Sequence, residues 1–200
     1  MPKMSKKKVI GLTGSMGSGK SMAASIIREY YPVLDCDRVN RDLLKKGHAG
    51  YSALLAGGFD FLDDKGEIDK PKMASVIFND EIVRKKVESI LHPLIFKEME
   101  IWISKQNAPL IFVEMPLLFE IGAQSYFDEI WCVVSNREIA LKRLEEGRNI
   151  SSDEALARWN AQLSPELKMA QSSYVIYNNG TVEQLRQQLL DGMEESLHGA

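Results

Sequence analysis

The chain has 200 residues, a hydrophobic content of 44% and a formal net charge of −3 at neutral pH. This length suits one α/β domain with a modest insertion, and the composition is that of an ordinary globular protein. The slight negative charge gives no global basic field, so we expect no nucleic-acid partner.

The first predicted strand, Val9–Thr13, runs into a glycine-rich loop with a complete phosphate-binding motif. Residues 14–21 read G-S-M-G-S-G-K-S, which fills the pattern G-x-x-x-x-G-K-[ST], and a helix is predicted over 19–30. In this context backbone N–H groups and the helix dipole attract an anion, Lys20 reaches the β- and γ-phosphates and Ser21 ligates Mg²⁺. The alternative is a glycine-rich turn with a surface lysine, which the complete and correctly flanked motif disfavours. We therefore predict a nucleoside triphosphate site.

Two aspartates follow the short second strand, which is predicted over 33–36. Asp35 and Asp37 are two residues apart, so on a strand their side chains point to the same face. Asp37 is predicted to cap a helix that runs to about residue 46, and its carboxylate also suits proton acceptance from an acceptor hydroxyl. A cap alone is the alternative for Asp37, and a structural or water-mediated role is expected for Asp35.

A long helical stretch is predicted from about residue 69 to 106, with a break at His92 and Pro93. It is too long for a simple crossover between strands, so it indicates an inserted helical subdomain. His92 is by its residue type more often structural than catalytic. The predicted organisation is a nucleotide-binding core at 8–46 and 108–198 and a helical insertion at 47–107.

Three further strands are predicted over 110–113, 129–134 and 174–177. Glu114 ends the first of these apolar runs in the manner of a Walker B acid, which holds Mg²⁺ directly or through water. Because strands alternate with helices, we predict a doubly wound, parallel, five-stranded sheet. Ligands of such sheets bind at the carboxyl ends of the strands, so all five ends are expected to face one cleft.

Basic residues after the fourth strand indicate a lid of about residues 137–163. Helices are predicted over 137–146 and 151–163, and the basic residues in and beyond them are Arg137, Lys142, Arg143, Arg148, Arg158 and Lys168. Arginines neutralise the charge of a transferring phosphoryl group, and a mobile flap that carries them excludes water. The alternative is a solvated helix pair whose charges are balanced by neighbouring acidic residues.

The last helix is predicted from residue 182 to about 197. Thr181 is expected to cap it, and Gln184 at the third helical position completes a capping box.

The cysteines and the apolar runs of the sequence predict the cellular compartment of the protein and whether it contacts a membrane. Cys36 and Cys132 lie in strand-like runs without a C-x-x-C motif, so buried free thiols in a reducing compartment are expected. The longest apolar stretch, 108–123, carries two glutamates and is short for a membrane span, and no signal peptide is recognised. We expect a cytoplasmic protein without membrane contact, and a monomer rather than an oligomer.

Taken together, the motifs resemble those of the dephospho-CoA kinases, in that family's order and over essentially the whole chain. The segments that carry this resemblance are 10–21, 34–37 with Arg41, 91–93, 113–120, the helix from Arg158 to Gln162, and 174–180. The segments P-L-L-F-E and L-H-P are far more specific than the phosphate loop, which many families share.

The resemblance implies a P-loop NTPase-type α/β fold with a helical insertion that binds the acceptor and a helical lid. The implied reaction uses ATP and Mg²⁺ to phosphorylate the ribose 3′-hydroxyl of dephospho-CoA, the last step of coenzyme A synthesis. The implied catalytic residues are Lys20, Asp37 as the base, Arg143 and Arg148. Adenine is implied to lie between Arg143 and the loop at 179–180.

Two sets of contacts are expected on these grounds. The nucleotide side comprises Gly14, Gly17, Ser18, Gly19, Lys20, Ser21 (also the metal ligand), Met22, Arg143, Asn179 and Gly180. The acceptor side comprises Thr13, Asp37, Arg41, His92, Pro116 and Leu117.

The chain departs from the family pattern at four positions. Ser15 stands where glycine is frequent, Met22 where threonine is frequent and Glu114 where aspartate is common. Tyr177 stands where aspartate is usual, which alters the rim of the adenine site. Two alternatives remain open: a P-loop kinase for a nucleoside or nucleoside monophosphate, and a nucleotide-binding switch without transferase activity.

Overall fold

The computed structural model describes residues 7–148, 151, 153, 156, 159–160 and 162–199. The chain divides into two compact units. The first comprises the residues up to Leu34 and those from Gln106 onward, and the second is Asp35–Lys105. The sequence predicted that the insertion would begin at residue 47, whereas in the structure the second unit begins twelve residues earlier (47 − 35) and includes one more helix.

The first unit contains a five-stranded sheet in the order β2-β3-β1-β4-β5. The strands are β1 (Lys8–Gly14), β2 (Val33–Asp35), β3 (Leu110–Glu114), β4 (Glu129–Val134) and β5 (Tyr174–Tyr177). Strand β1 pairs in parallel with β3 and β4, and β4 pairs in parallel with β5. This strand order confirms the predicted doubly wound parallel sheet, and it puts β1 with its glycine-rich loop at the centre.

The helices of the described part of the chain alternate with these strands. In chain order they are α1 (Lys20–Ile27), α2 (Cys36–Leu43), α3 (Ala49–Ala56), α4 (Lys70–Asn79), α5 (Glu81–Ser104), α6 (Arg137–Arg148), α7 (Pro165–Ala170) and α8 (Val182–His198). In the described part no helix is long and apolar enough to cross a membrane.

Buried side chains on one face of the sheet form the main core. Ile10 and Leu12 of β1 are buried together with Leu189 of α8. Trp131 of β4 meets Phe112 of β3 edge to face, with ring centroids 5.1 Å apart. Burial of each such side chain contributes about 1.5–3 kcal/mol. This core fixes the carboxyl ends of the central strands, where the site lies.

Helices α2 to α5 form the second unit around an apolar cluster of their own. Leu44, Leu54, Phe61, Val87 and Leu91 are among its buried members. Helix α3 was not predicted from the sequence, and His48 before it provides no side-chain cap hydrogen bond. The second unit therefore has a core separate from that of the sheet.

Helix α5 runs through Pro93 without the predicted break. A proline inside a helix removes one backbone hydrogen bond. Here Val87 and Leu91 before it and Met99 after it are all buried, and this packing holds both halves in one helix. The interruption occurs instead before α5, where the carboxylate of Asp80 accepts hydrogen bonds from the first-turn N–H groups at 2.9 and 3.0 Å.

Asp35, and not Asp37, is the N-cap of α2. Its backbone is extended and its carboxylate accepts a hydrogen bond from the N–H of Arg38 at 3.0 Å. Strand β2 ends at Asp35 and Asp37 lies in the first helical turn, so the prediction of two aspartates on one strand face was wrong. Asp37 is exposed, and capping no longer explains its presence.

The end of the chain folds as predicted. Thr181 and Gln184 form a capping box, with N–H···O distances of 3.0 and 3.3 Å between each backbone and the other side chain. The first lid helix corresponds to α6, whereas six of the thirteen residues of the second, predicted over 151–163, lie outside the described residues.

Candidate active site

The glycine-rich loop lies against the ends of strands β4 and β5. Gly14 has φ 148°, and a Cβ atom there would lie 2.1 Å from the carbonyl oxygen of Val133. Gly19 has φ 89°, and its Cβ would lie 2.1 Å from Nδ2 of Asn178. Glycine is required at both positions, because a side chain would be strained and would meet backbone or an amide.

Lys20 folds back over this loop. Its Nζ donates to the carbonyl oxygens of Gly14 at 2.9 Å and Ser15 at 3.1 Å. The side chain is only partly buried. An ammonium group held at the mouth of the loop is positioned to meet the oxygens of a bound polyphosphate.

Ser21, Glu114 and Arg28 form a polar cluster beside the loop. The Ser21 hydroxyl donates to Oε1 of Glu114 at 3.4 Å, and Arg28 Nη2 lies 3.7 Å from Oε2 of the same carboxylate. Glu114, the last residue of β3, is buried. No group of three or more His, Cys, Asp or Glu side chains suited to a metal occurs in the described residues. One hydroxyl and one carboxylate nevertheless fit Mg²⁺, which takes most of its remaining ligands from phosphates and water.

Arg143 reaches the loop through a network that the sequence did not reveal. Its Nη1 donates to Oγ of Ser135 at 2.9 Å and to the carbonyl oxygen of Asn178 at 3.1 Å. The Asn178 amide donates to the carbonyl oxygen of Ser18 at 2.8 Å, and Ser135 Oγ donates to the Asn178 carbonyl at 2.8 Å. The only sequence signal for Ser135 and Asn178 was that each follows a strand end.

A cavity of about 760 Å³ opens at the carboxyl ends of β4 and β5. Its lining includes Trp159, Gln162, Tyr177 and Asn179. The Gln162 side chain accepts a hydrogen bond from the N–H of Met16 at 2.9 Å, so it joins this wall to the loop. Asn179 accepts a hydrogen bond from a backbone N–H after β4 at 2.7 Å. The cavity thus lies along the side of the site where adenine was expected.

The expected acceptor residues of the first unit lie around one carbonyl group. The hydroxyl of Thr13, buried at the end of β1, donates to the carbonyl oxygen of Pro116 at 3.2 Å. The next residue, Leu117, is 46% exposed, whereas Leu118 and Phe119 are buried and anchor the segment. Leu117 is therefore available to a ligand without being needed by the core.

Asp37, Arg41 and His92 belong to the second unit. Arg41 lies 3.6 Å from the carboxylate of Asp35, and the His92 ring meets that of Phe96 edge to face. The structure therefore gives His92 an aromatic neighbour within its own helix.

A basic cavity of about 600 Å³ lies in the second unit. Its walls are Arg38, Arg41, Asp42, Leu44, Lys45, Lys46, Glu67, Ile68 and Lys70. Five of these side chains are cationic and two are anionic, in a chain whose net charge is −3. Such a local excess of positive charge favours a polyanionic ligand.

Two of the expected arginines cannot be placed. The side chain of Arg148 and the whole of Arg158 lie outside the described residues. Met22, the last expected nucleotide contact of the loop region, is 48% exposed on α1.

Comparison with known proteins gives one consistent answer. The family model for dephospho-CoA kinase matches residues 8–184. A dephospho-CoA kinase of Carboxydothermus hydrogenoformans is 37% identical over 187 residues, which cover 91% of this chain and 91% of that protein. A solved structure from Thermus thermophilus has a TM-score of 0.84 at 30% identity and covers 94% of this chain and 97% of that one. A dephospho-CoA kinase structure from Campylobacter jejuni has a TM-score of 0.69 at 25% identity and covers 97% and 99%.

Proposed function

The chain belongs to the dephospho-CoA kinase family, and we propose a role for each of its site residues in that family's reaction. It is a transferase that uses ATP to phosphorylate the ribose 3′-hydroxyl of dephospho-CoA, the final step of coenzyme A synthesis. The observation that carries this conclusion is the family match over residues 8–184, which takes in the glycine-rich loop and both units.

The donor phosphates are bound by the loop from Gly14 to Ser21. Its backbone N–H groups surround the β- and γ-phosphates, and Lys20 exchanges its loop carbonyl partners for phosphate oxygens. Mg²⁺ would be held by Ser21, and by Glu114 directly or through water, and would supply positive charge beside the donor phosphates. The role of these residues is electrostatic and positional, which is the main source of catalysis in phosphoryl transfer.

The acceptor hydroxyl gives its proton to Asp37. The 3′-oxygen forms a bond to the γ-phosphorus while the bond from that phosphorus to the bridging oxygen breaks, and ADP leaves. The exposed carboxylate in the first turn of α2 accepts the proton. Its freedom from capping supports this role, because Asp35 caps the helix in its place.

Adenine lies between Arg143 and the loop of Asn179 and Gly180. The network that holds Arg143 at the end of β5, and the cavity that Tyr177 and Asn179 line, support this placement. Arginine offers a planar cation that stacks on an aromatic base.

Removal of the Arg143 side chain is expected to weaken ATP binding more than folding. Arg143→Ala deletes a guanidinium beside the loop, and hydrogen bonds of charged groups contribute about 1.5–3 kcal/mol. We expect kcat/KM for ATP to fall by at least about tenfold, since about 1.4 kcal/mol corresponds to a factor of ten. Steady-state kinetics beside a thermal melt test this. A melt that drops while kinetics stay unchanged would assign Arg143 to the structural network alone.

Residues of each unit are assigned to the acceptor: Thr13, Pro116 and Leu117 in the first unit, and Arg41 in the second. Dephospho-CoA carries a diphosphate, and the basic cavity that Arg41 lines has the charge to attract it. His92, on α5, is assigned to the same acceptor side.

Arg41→Ala is expected to raise the KM for dephospho-CoA by about tenfold and to leave the KM for ATP within about twofold, since one lost contact to a charged group amounts to about 1.5–3 kcal/mol. Arg84→Ala is the matched control, because Arg84 has similar exposure and pairs with carboxylates at 3.8 and 3.9 Å. Initial rates against each substrate measure both effects. Equal effects of the two variants would contradict the assignment of Arg41.

The function as a whole is tested by ADP release with a panel of acceptors. Dephospho-CoA is expected to stimulate release, and AMP, adenosine and shikimate are expected not to. Preference for a nucleoside or nucleoside monophosphate would place the chain with another small-acceptor kinase. Nucleotide binding without acceptor-dependent release would indicate a switch.

The chain acts as a cytoplasmic monomer that binds neither nucleic acid nor membrane. The net charge of −3 supports the part of this proposal that concerns nucleic acid, because it gives no global basic field. Light scattering at micromolar concentration tests the monomer, and a mass of two chains would refute it.

A further inference from the structure

Lys168 of α7 is a fully buried lysine, with no exposed surface. Lysine is almost never buried completely unless it is paired. Here Nζ lies 2.8 Å from Oε1 of Glu120 and donates to the carbonyl oxygen of Pro116 at 3.4 Å. The sequence grouped Lys168 with the basic residues near the lid, but the structure turns it toward the segment after β3.

The two partners of Lys168 lie in parts of the chain with different expected tasks. The Pro116 carbonyl, which also accepts the hydroxyl of Thr13, belongs to the wall assigned to the acceptor. Glu120 also accepts a hydrogen bond from the N–H of Leu163 at 3.2 Å, at the carboxyl-terminal end of the predicted lid. One ammonium group therefore links the proposed acceptor wall, through Glu120, to Leu163 at the end of the predicted lid.

The groups around Lys168 leave Glu120 as the charged partner of its ammonium group. Burial raises the pKa of the neighbouring Cys132 thiol to about 11. The positive charge of Lys168 offsets only part of this rise, so the thiol stays neutral. The carboxylate of Glu120 is the charged partner within 4.0 Å among the described residues. In this ion pair the ammonium is buried and the carboxylate is partly exposed, and such a pair is by itself weak evidence for a stabilising role.

We propose that Lys168 is a positioning residue that sets the Pro116–Leu117 wall for the acceptor and couples it to the end of the lid. It touches neither substrate, and acts through the Pro116 carbonyl and through Glu120. The inference rests on the proposed acceptor contacts of Pro116 and Leu117. Because a displacement of about 1 Å in a positioned group costs about a hundredfold in rate, loss of this link should be visible in acceptor kinetics.

The test compares the Lys168–Glu120 pair, whose lysine is buried, with a lysine–glutamate pair in which both side chains are exposed. Lys168→Met alone leaves the Glu120 carboxylate, whose side chain is 22% exposed, without its cationic partner. The decisive variant is therefore the double Lys168→Met/Glu120→Gln, which removes both charges. The control is Lys85→Met/Glu81→Gln, whose ion pair of 2.9 Å is exposed on α5. Kinetics for each substrate and a thermal melt are measured on both doubles.

We expect the buried double variant to lose about ten- to a hundredfold in kcat/KM for dephospho-CoA. The KM for ATP of this variant and the KM for ATP of the control variant should each stay within about twofold of the unmodified enzyme's value. A twofold change corresponds to much less than the roughly 1.4 kcal/mol of a tenfold change. Equal losses for both substrates, no loss for either, or failure of the double variant to fold would each overturn the proposal, since each is the result of a purely structural role.

Leu117→Ala separates this inference from the contacts on which it rests. Leu117 is half exposed, so its truncation leaves the core intact. If Leu117→Ala leaves the KM for dephospho-CoA unchanged, the proposed acceptor wall is wrong. If Leu117→Ala raises that KM and the buried double variant does not, only the role of Lys168 is wrong.

Discussion

Lys20→Ala is expected to reduce turnover by about a thousandfold, the upper end of the range for removal of one preorganised electrostatic donor. The Lys20 ammonium is the only lysine group bonded to the carbonyls of the loop in the described residues, at 2.9 and 3.1 Å. Its loss removes positive charge at the β- and γ-phosphates as negative charge spreads over the transferring group. Acceptor-dependent ADP release at saturating ATP is the measurement.

Because Lys20 also bonds the loop, its replacement needs a check on loop structure. Lys20→Met keeps most of the side-chain length without the charge, and it should be as inactive as Lys20→Ala. Lys105→Met, at an exposed lysine after α5, is the control for loss of one charge. A folded Lys20→Met enzyme with near-normal turnover would refute the phosphate site.

Asp37→Asn is expected to lower turnover by about 10²–10⁴-fold, the usual contribution of a general base. Asparagine has nearly the same size as aspartate but cannot accept the proton of the 3′-hydroxyl. The affinity for ATP should be kept, because no contact of Asp37 with the donor is proposed. Single-turnover kinetics and ATP titration on the same variant measure the two effects separately.

The stability of Asp37→Asn is expected to change only slightly. Asp35 provides the cap of α2, so the substitution leaves the cap in place and removes a first-turn charge, which contributes about 0.3–1 kcal/mol. Glu81→Gln removes the same kind of first-turn charge from α5 and is the matched control. Turnover of Asp37→Asn within a few-fold of that control would leave Asp37 without a catalytic role and make Asp35 the next candidate.

The features that could be predicted are those encoded by neighbouring residues. The bounds of β4 and β5 agree with the sequence prediction, since continuous apolar runs mark buried parallel strands. The capping box of Thr181 and Gln184 was predictable for the same reason, because its two members are three residues apart. The glycine-rich loop is likewise one contiguous pattern.

The predictions that failed depended on where an element ends in the folded chain. Asp35 and Asp37 are both suitable caps by residue type, and the end of β2 at Asp35 decides between them. Pro93 is a helix breaker by local rules, but buried residues on either side hold α5 together. In both cases tertiary packing overrides a local preference.

No sequence pattern predicted the network around Arg143 or the burial of Lys168. Arg143 meets the carbonyl of Asn178, and Lys168 meets Glu120 and Pro116, across 35 to 52 positions of the chain. Contacts of that separation are set by strand order rather than by spacing. The sequence could name Arg143 through its charge and Pro116 through a resemblance, but it could not name the residues that hold them.

The most direct test of the account is the chemical identity of the product formed from ATP and dephospho-CoA. Phosphorus NMR and tandem mass spectrometry should show coenzyme A with a new phosphomonoester on the ribose 3′-oxygen, in equal amount to the ADP released. A phosphate at another position, or ADP released without a phosphorylated acceptor, would contradict the account.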